Sequence, residues 1–282
     1  MQPNLLKGAL LLLLAEACFV GIGALVKYST GLASEAQVVF FRNGFALLLM
    51  LPFLYTHGIG LLKTKRWYLH AFRAFTGLTS MYCFFYVLGQ LPLAQAMAVL
   101  LLSPFIVPII ARIWLKESPS QITLIAIALG FVGVLLALPA PAAGLTWVLL
   151  IAMAAACLVA ITKTTIRAMA STEPAVRTVF YFSLLTAVFS VLPLPFYWQP
   201  LEWQAWLAFI GMGALAAIGQ LAMTQAYTLA PASDIGMWTY SSVVFAGLFG
   251  YFFWQEPVTM SWLAGVVVIF YAGYVTTRQR LW

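Results

Sequence analysis

Residues 5–27 read LLKGALLLLLAEACFVGIGALVK, and between Lys7 and Lys27 this stretch carries one charge, Glu16. A helix that crosses a bilayer needs ~20 predominantly apolar residues, so the stretch is long enough to span with an acid near its centre. Its length and its internal acid set it apart from a secretory signal, and it reads as the first membrane span.

The pattern recurs along the chain. Apolar runs fall at roughly 5–27, 35–56, 68–90, 92–114, 120–138, 145–167, 174–194, 203–228, 232–253 and 259–277, with Pro, Gly or charge at each break. Of the 282 residues, 64% are hydrophobic and 7% are charged. Soluble domains carry about 25% charged residues, which excludes a soluble enzyme, a nucleic-acid-binding domain and a disordered chain. The runs are too continuous for a membrane barrel, whose strands alternate polar and apolar residues. The expected fold is an all-α integral membrane protein of ten transmembrane helices. Cys18, Cys83 and Cys157 lie inside apolar runs without metal-ligand spacing and read as small core residues.

The net charge of +7 has a source other than nucleic acid. With the N-terminus in the cytoplasm, twelve of the fourteen basic residues fall in inner loops or at inner helix ends, leaving Lys27 and Arg42 on the outer half. That bias predicts cytoplasmic N- and C-termini in a bacterial-type inner membrane.

Shifting the chain by 139 residues lays Ala17-Cys18-Phe19-Val20 on Ala156-Cys157-Leu158-Val159, Pro92 on Pro231, Ser103 on Ser242 and Glu117 on Glu256. One offset serves both ends of each half, so the chain divides into repeats at 1–140 and 141–282, each of five helices. Five is odd, so the second repeat enters the membrane inverted. Inverted repeats around a midplane site are a transporter signature.

These features resemble the EamA family of the drug/metabolite transporter superfamily. The resemblance is carried by the five-plus-five plan and by local patterns: Phe41-Arg42-Asn43, Arg73-Ala74-Phe75-Thr76-Gly77, Leu91-Pro92-Leu93-Ala94-Gln95-Ala96, Ser103-Pro104, Leu115-Lys116-Glu117, Leu229-Ala230-Pro231-Ala232 and Gln255-Glu256-Pro257. It implies a central cavity between helices 1–4 and 6–9, with helices 5 and 10 peripheral. It also implies transport driven by an ion gradient or by exchange, with a lean toward export.

Ionisable groups within hydrocarbon cost ~2.5–3.5 kcal/mol on insertion scales and usually face a cavity or a partner. Glu16 reads as a proton-coupling carboxylate, a clamp for a substrate amine, or half of an ion pair. Arg42, followed by Asn43, lies too deep to snorkel and suits bidentate carboxylate binding. Arg73 divides between snorkelling and cavity lining. Lys163 stands one turn before Arg167. Asp234 opens its helix, where the dipole favours an acid, and is near enough to Lys163 or Arg177 to pair. Lys27 reads as a snorkelling residue. Gln95, Gln220, Trp238 and Ser242 lie on helices expected to line the cavity. Pro104 and Pro108 should loosen the fourth span near its middle. Ala126, Gly130 and Gly133 suggest close helix packing, and His57 and His70 flank an inner loop.

Phosphate-loop, catalytic-triad and metal-ligand patterns are absent, so the sequence calls for no cofactor and no metal. The expected partners are a small-molecule substrate and the lipid bilayer, with coupling to protons or to exchange. The function expected is an inner-membrane secondary transporter of an amino acid, an amino-acid-derived compound or an organic anion. An amino acid would satisfy Arg42 and Glu16 together. An intramembrane enzyme or a channel on a duplicated scaffold are the alternatives. The sequence leaves the oligomeric state open.

Overall fold

The structure, a computed structural model, describes residues 4–91, 93–117, 120–137, 146–255 and 259–278. Pro92, Glu256, Pro257 and Arg280, which carried parts of the sequence reading, lie outside the described residues. The chain is all-helical, and no strand occurs among the described residues beyond an isolated bridge between Thr30 and Ala33. The helices are α1 (Leu5–Ser29), α2 (Glu35–His57), α3 (Trp67–Gln90), α4 (Leu93–Leu100), α5 (Ser103–Ile110), α6 (Gln121–Ala137), α7 (Thr146–Met169), α8 (Ala175–Ser190), α9 (Trp203–Leu229), α10 (Ala232–Ile235), α11 (Ser241–Trp254) and α12 (Met260–Arg278).

Among the described residues, four helical stretches are long and apolar enough to cross a membrane: Leu5–Ser29, Glu35–Phe53, Trp147–Met169 and Trp203–Leu229. Shorter apolar helices occupy Ser103–Leu115, Leu124–Gly133, Ala175–Ser190 and Met260–Ala272. The runs expected as single spans at 92–114 and 232–253 are each interrupted. The first breaks at Leu101-Leu102, because Pro104 has no N–H to continue the helical ladder and instead sits in the first turn of α5. The second passes through a tight 3-10 segment, Gly236–Tyr240, between α10 and α11. Each run also ends on a left-handed residue, Lys116 with φ 57° and Gln255 with φ 53°.

Local signals account for several helix starts. The Asn4 side chain accepts from the Lys7 amide at the head of α1. Ser34 and Gln37 form a reciprocal capping box on α2, which satisfies two otherwise unbonded amides. Pro174 and Pro231 precede α8 and α10, where a fixed φ suits helix entry.

The long α1 packs along α9, and α3 along α7. The helix α2 contacts both α8 and α9, while α8 contacts α3. The helices α6 and α12 pack against each other. Small residues permit these approaches. A Cβ on Gly133 of α6 would stand 2.8 Å from the Gly265 carbonyl oxygen of α12, so the two backbones nearly touch.

The distribution of polarity is inverted relative to a soluble protein. Leu10, Leu14, Ile113, Leu207, Phe252 and Phe270 are exposed, whereas Glu16, Arg42, Arg73 and Lys163 are buried. A surface of this kind is stable only against hydrocarbon. Cys18 is buried, but Cys157 is exposed, against the expectation that all three cysteines fill the core. Lipid is as apolar as the protein interior, so an apolar run does not tell which face of its helix turns inward.

Candidate functional site

A cavity of about 170 Å³ lies within the bundle. All its described lining residues come from α1–α5, α7–α9, α11 and the short segments that join α4 to α5 and α10 to α11. The paired helices α6 and α12 contribute none of them. One face of α3 forms a wall, because Gly77, Ser80, Met81, Phe84 and Phe85 recur at helical spacing. Other elements add Glu16 from α1, Arg42 from α2, Thr162 and Lys163 from α7, and Gln220 from α9. Ser103 and Ser242, 139 positions apart, both line the cavity.

Arg42 is 4% exposed. Its Nη1 donates to Asn43 Oδ1 at 2.7 Å and lies 3.4 Å from the Met81 sulfur. Its Nε has no hydrogen-bond partner, and no ion pair joins it to a carboxylate among the described residues. Asn43 is buried beside it and supports the guanidinium.

Glu16 and Lys163 form a pair across α1 and α7, with Lys163 Nζ 3.3 Å from Glu16 Oε1. Lys163 also donates to Thr239 Oγ1 at 2.9 Å. Of the three readings open for Glu16, the structure shows the ion pair. Lys163 thus reaches Glu16, and Arg177 reaches Glu173.

Arg73 is fully buried and stands behind the cavity wall. Its Nη1 donates to the Thr178 carbonyl at 2.5 Å and its Nη2 to Gln220 Oε1 at 2.8 Å. Its guanidinium lies 4.4 Å from the centroid of the Phe182 ring. Gly77 admits that ring, because a Cβ there would lie 2.6 Å from Phe182 Cε2. Arg73 therefore orients two wall residues, Gln220 and Phe182, rather than snorkelling.

Ser242 lines the cavity and donates to the Thr239 carbonyl at 2.8 Å. Trp238 instead packs between two apolar clusters. Lys27 does not simply snorkel, because its ammonium sits 4.7 Å from the centroid of the Trp254 ring. For Gln95 the backbone is within α4, and its side chain lies outside the described residues.

Sequence reasoning passed over Thr239, Ser80, Thr162 and Ser103 as site residues. Single hydroxyls in apolar helices carry little signal. The match of Ser103 with Ser242 at the common offset was the clue available.

A second polar cluster lies at the end of the bundle that bears the 58–66 loop. Glu173, in the turn between α7 and α8, accepts from Thr64 at 2.7 Å and from Arg177 Nη1 at 2.9 Å. His70 Nε2 lies 3.5 Å from the same carboxylate, and its ring stacks on Tyr181. Arg177 also donates to the Leu61 carbonyl at 2.6 Å, and Tyr181 to the Leu62 carbonyl at 2.7 Å. Burial pushes the Glu173 carboxyl up, but the hydrogen bonds from Thr64 and Arg177, with the nearby His70 and Arg177, hold it below its ordinary value. Nearby, Arg167 joins Glu117 at 2.7 Å and the Tyr227 carbonyl at 3.0 Å.

The EamA-like transporter family matches the chain twice, over residues 6–138 and 145–278. The pseudopaline exporter CntI of Pseudomonas aeruginosa (strain UCBPP-PA14) is 26% identical over 286 residues, covering 99% of each chain. A riboflavin transporter of Vibrio cholerae serotype O1 is 27% identical over 279 residues, covering 96% of this chain and 93% of its own. A solved crystal structure superposes with a TM-score of 0.82 at 19% identity, covering 97% of this chain and 98% of that one, a likeness of fold alone.

Proposed function

The chain belongs to the EamA-like transporter family, and on that premise we propose that it is an inner-membrane secondary transporter that exports a small polar metabolite by alternating access. The family and both relatives are transporters and not enzymes, and the chain is a multi-pass membrane protein. The substrate class is an amino acid, an amino-acid-derived compound or an organic anion. The observation that carries this reading is Arg42, a buried cation on the cavity wall with no carboxylate partner among the described residues. Holding a desolvated guanidinium without a counter-ion is costly, and an anionic substrate group would supply that counter-ion.

The proposed architecture is ten spans in two inverted repeats, 1–140 and 141–282, with both termini cytoplasmic. Several structural correspondences support it at the 139-residue offset. The broken runs after α4 and around Gly236–Tyr240 fall in register, as do the left-handed residues Lys116 and Gln255. Exchanging the halves turns the α1–α9 contact into α7–α3 and the α2–α9 contact into α8–α3, and both pairs occur. Such a bundle has two related arrangements available, which alternating access requires. Export is supported by the pseudopaline relative, which is an exporter. Coupling to protons or to exchange completes the scheme.

The test is counterflow in proteoliposomes with labelled amino acids and organic anions. Saturable exchange of at least one is expected, and its loss in Arg42→Gln at unchanged membrane expression. No saturable flux of any of them, with or without a pH gradient, overturns the reading. Normal flux from Arg42→Gln removes Arg42 from the site.

A further inference from the structure

Every buried polar atom inside a protein needs a partner, so the atoms left without one describe what the cavity awaits. Most polar groups on the wall are already engaged by the protein. Lys163 donates to both Glu16 and Thr239. Thr162 bonds Thr76 at 2.9 Å, and Ser80 donates to the Ala155 carbonyl at 3.2 Å. Gln220 Oε1 is held by Arg73, and Ser242 by the Thr239 carbonyl. Among the described lining residues, the buried atoms without a hydrogen-bond partner are Arg42 Nε and Ser103 Oγ.

The charge balance is equally specific. Glu16 is the sole acid among the described lining residues, and Lys163 neutralises it. An incoming ammonium therefore finds no open carboxylate, and would have to displace Lys163 and leave that cation buried and unpaired. An incoming dicarboxylate finds one open cation on the wall and would strand its second charge. The apolar part of the described wall is mostly aromatic and sulfur-bearing, four Phe and three Met against five aliphatic residues, with Phe84, Phe85 and Phe182 beside Met81, Met97 and Met223. Rings and thioethers favour a polarizable, planar body over a hydrated aliphatic one. Met81 belongs to both regions, since it lines the cavity and touches the Arg42 guanidinium.

We infer that the substrate is a monoanion with a planar, largely apolar body, an aryl or heteroaryl carboxylate, seated with its carboxylate on Arg42 and within reach of Ser103 and its ring against the Phe and Met wall. This rests on the transporter reading above and narrows it. It sets aside the amino acid that Arg42 and Glu16 would have shared, because Glu16 is already occupied.

The test is a thermal-shift titration of the purified full-length protein in detergent with 2-naphthoate, hexanoate, phenylalanine and succinate. A ligand that binds only the folded state stabilises it by RT ln(1 + L/Kd) at free ligand concentration L, so the concentration dependence of the Tm shift gives its affinity. The expected order places 2-naphthoate at least tenfold tighter than the other three. Arg42→Gln is expected to weaken 2-naphthoate at least tenfold and Arg42→Lys less. Ser103→Ala, a mild substitution that keeps the result readable if Arg42→Gln folds poorly, is expected to weaken it several-fold. Arg42-dependent binding of phenylalanine or succinate that equals 2-naphthoate overturns the monoanion assignment and leaves anion transport standing. Hexanoate binding as tightly as 2-naphthoate overturns the aromatic assignment alone. Binding of 2-naphthoate unaffected by all three substitutions, or no shift with any of the anions, overturns both the inference and the anchoring role of Arg42.

Discussion

Lys163 Nζ lies 3.3 Å from Glu16 Oε1, and the two residues, on α7 and α1, both line the cavity. Both side chains are at least nine-tenths buried. Removing one member of such a pair leaves an uncompensated charge, which costs about 3–5 kcal/mol. Glu16→Gln and Lys163→Met should each lower the unfolding temperature markedly, and the double variant should recover most of the loss. Thermal unfolding of the three purified variants checks this. A double variant less stable than both singles would show that the pair is not coupled as its geometry says.

Gly77 determines where the Phe182 ring rests. In Gly77→Ala the new methyl would stand 2.6 Å from that ring, so Phe182 must shift away from its place over Arg73. Overpacking of this kind costs about 1–3 kcal/mol. The expected outcome is a several-fold fall in saturable flux per folded molecule, larger than the accompanying fall in stability accounts for. Unchanged flux would show that the Phe182 position is immaterial to transport.

Gly133 offers the contrast. It lies in the α6–α12 contact, and Gly133→Leu would force the helices apart where backbone meets backbone. A loss of about 1–3 kcal/mol in stability is expected from overpacking. Flux per folded molecule should stay near normal, because no described cavity residue lies on either helix. Flux measured after correction for folded protein checks the separation.

The Glu173 cluster gives a pH dependence with a definite sign. The folded-state carboxyl is held below its ordinary, unfolded value. Its contribution to stability is then fully present above the unfolded value and is lost as pH falls through the lowered folded value. Glu173→Gln should therefore unfold at a lower temperature than wild type near neutral pH. The gap should close as the medium is acidified through the carboxylate range. A gap that persists unchanged into strong acid would show that the carboxylate charge is not what joins the 58–66 loop to α8.

Much of this protein was legible in the one-dimensional pattern. Twenty-odd apolar residues between charges dictate a spanning helix, because unpaired backbone groups are untenable in hydrocarbon. The starts and ends of α1, α2, α7 and α9 fall within a few residues of the apolar runs. The depth of Arg42 in its run was likewise enough to mark it as a buried cation, because snorkelling has a finite reach.

The tertiary structure decided the partners. Sequence leaves Glu16 three roles, since its neighbours on α1 do not reveal what faces it from α7, and only packing brings Lys163 to it. Arg73 and Arg42 look alike as charges in apolar runs. One is bound to the Thr178 carbonyl and Gln220 behind the wall, while the other faces the cavity with an atom unbonded. Cys157 turns to the outside although its run is as apolar as that around Cys18. In each case the reason is the same. Hydropathy sets how deep a residue lies in the membrane, whereas its direction around the helix axis, and so its partner, is set by contacts between helices distant in sequence.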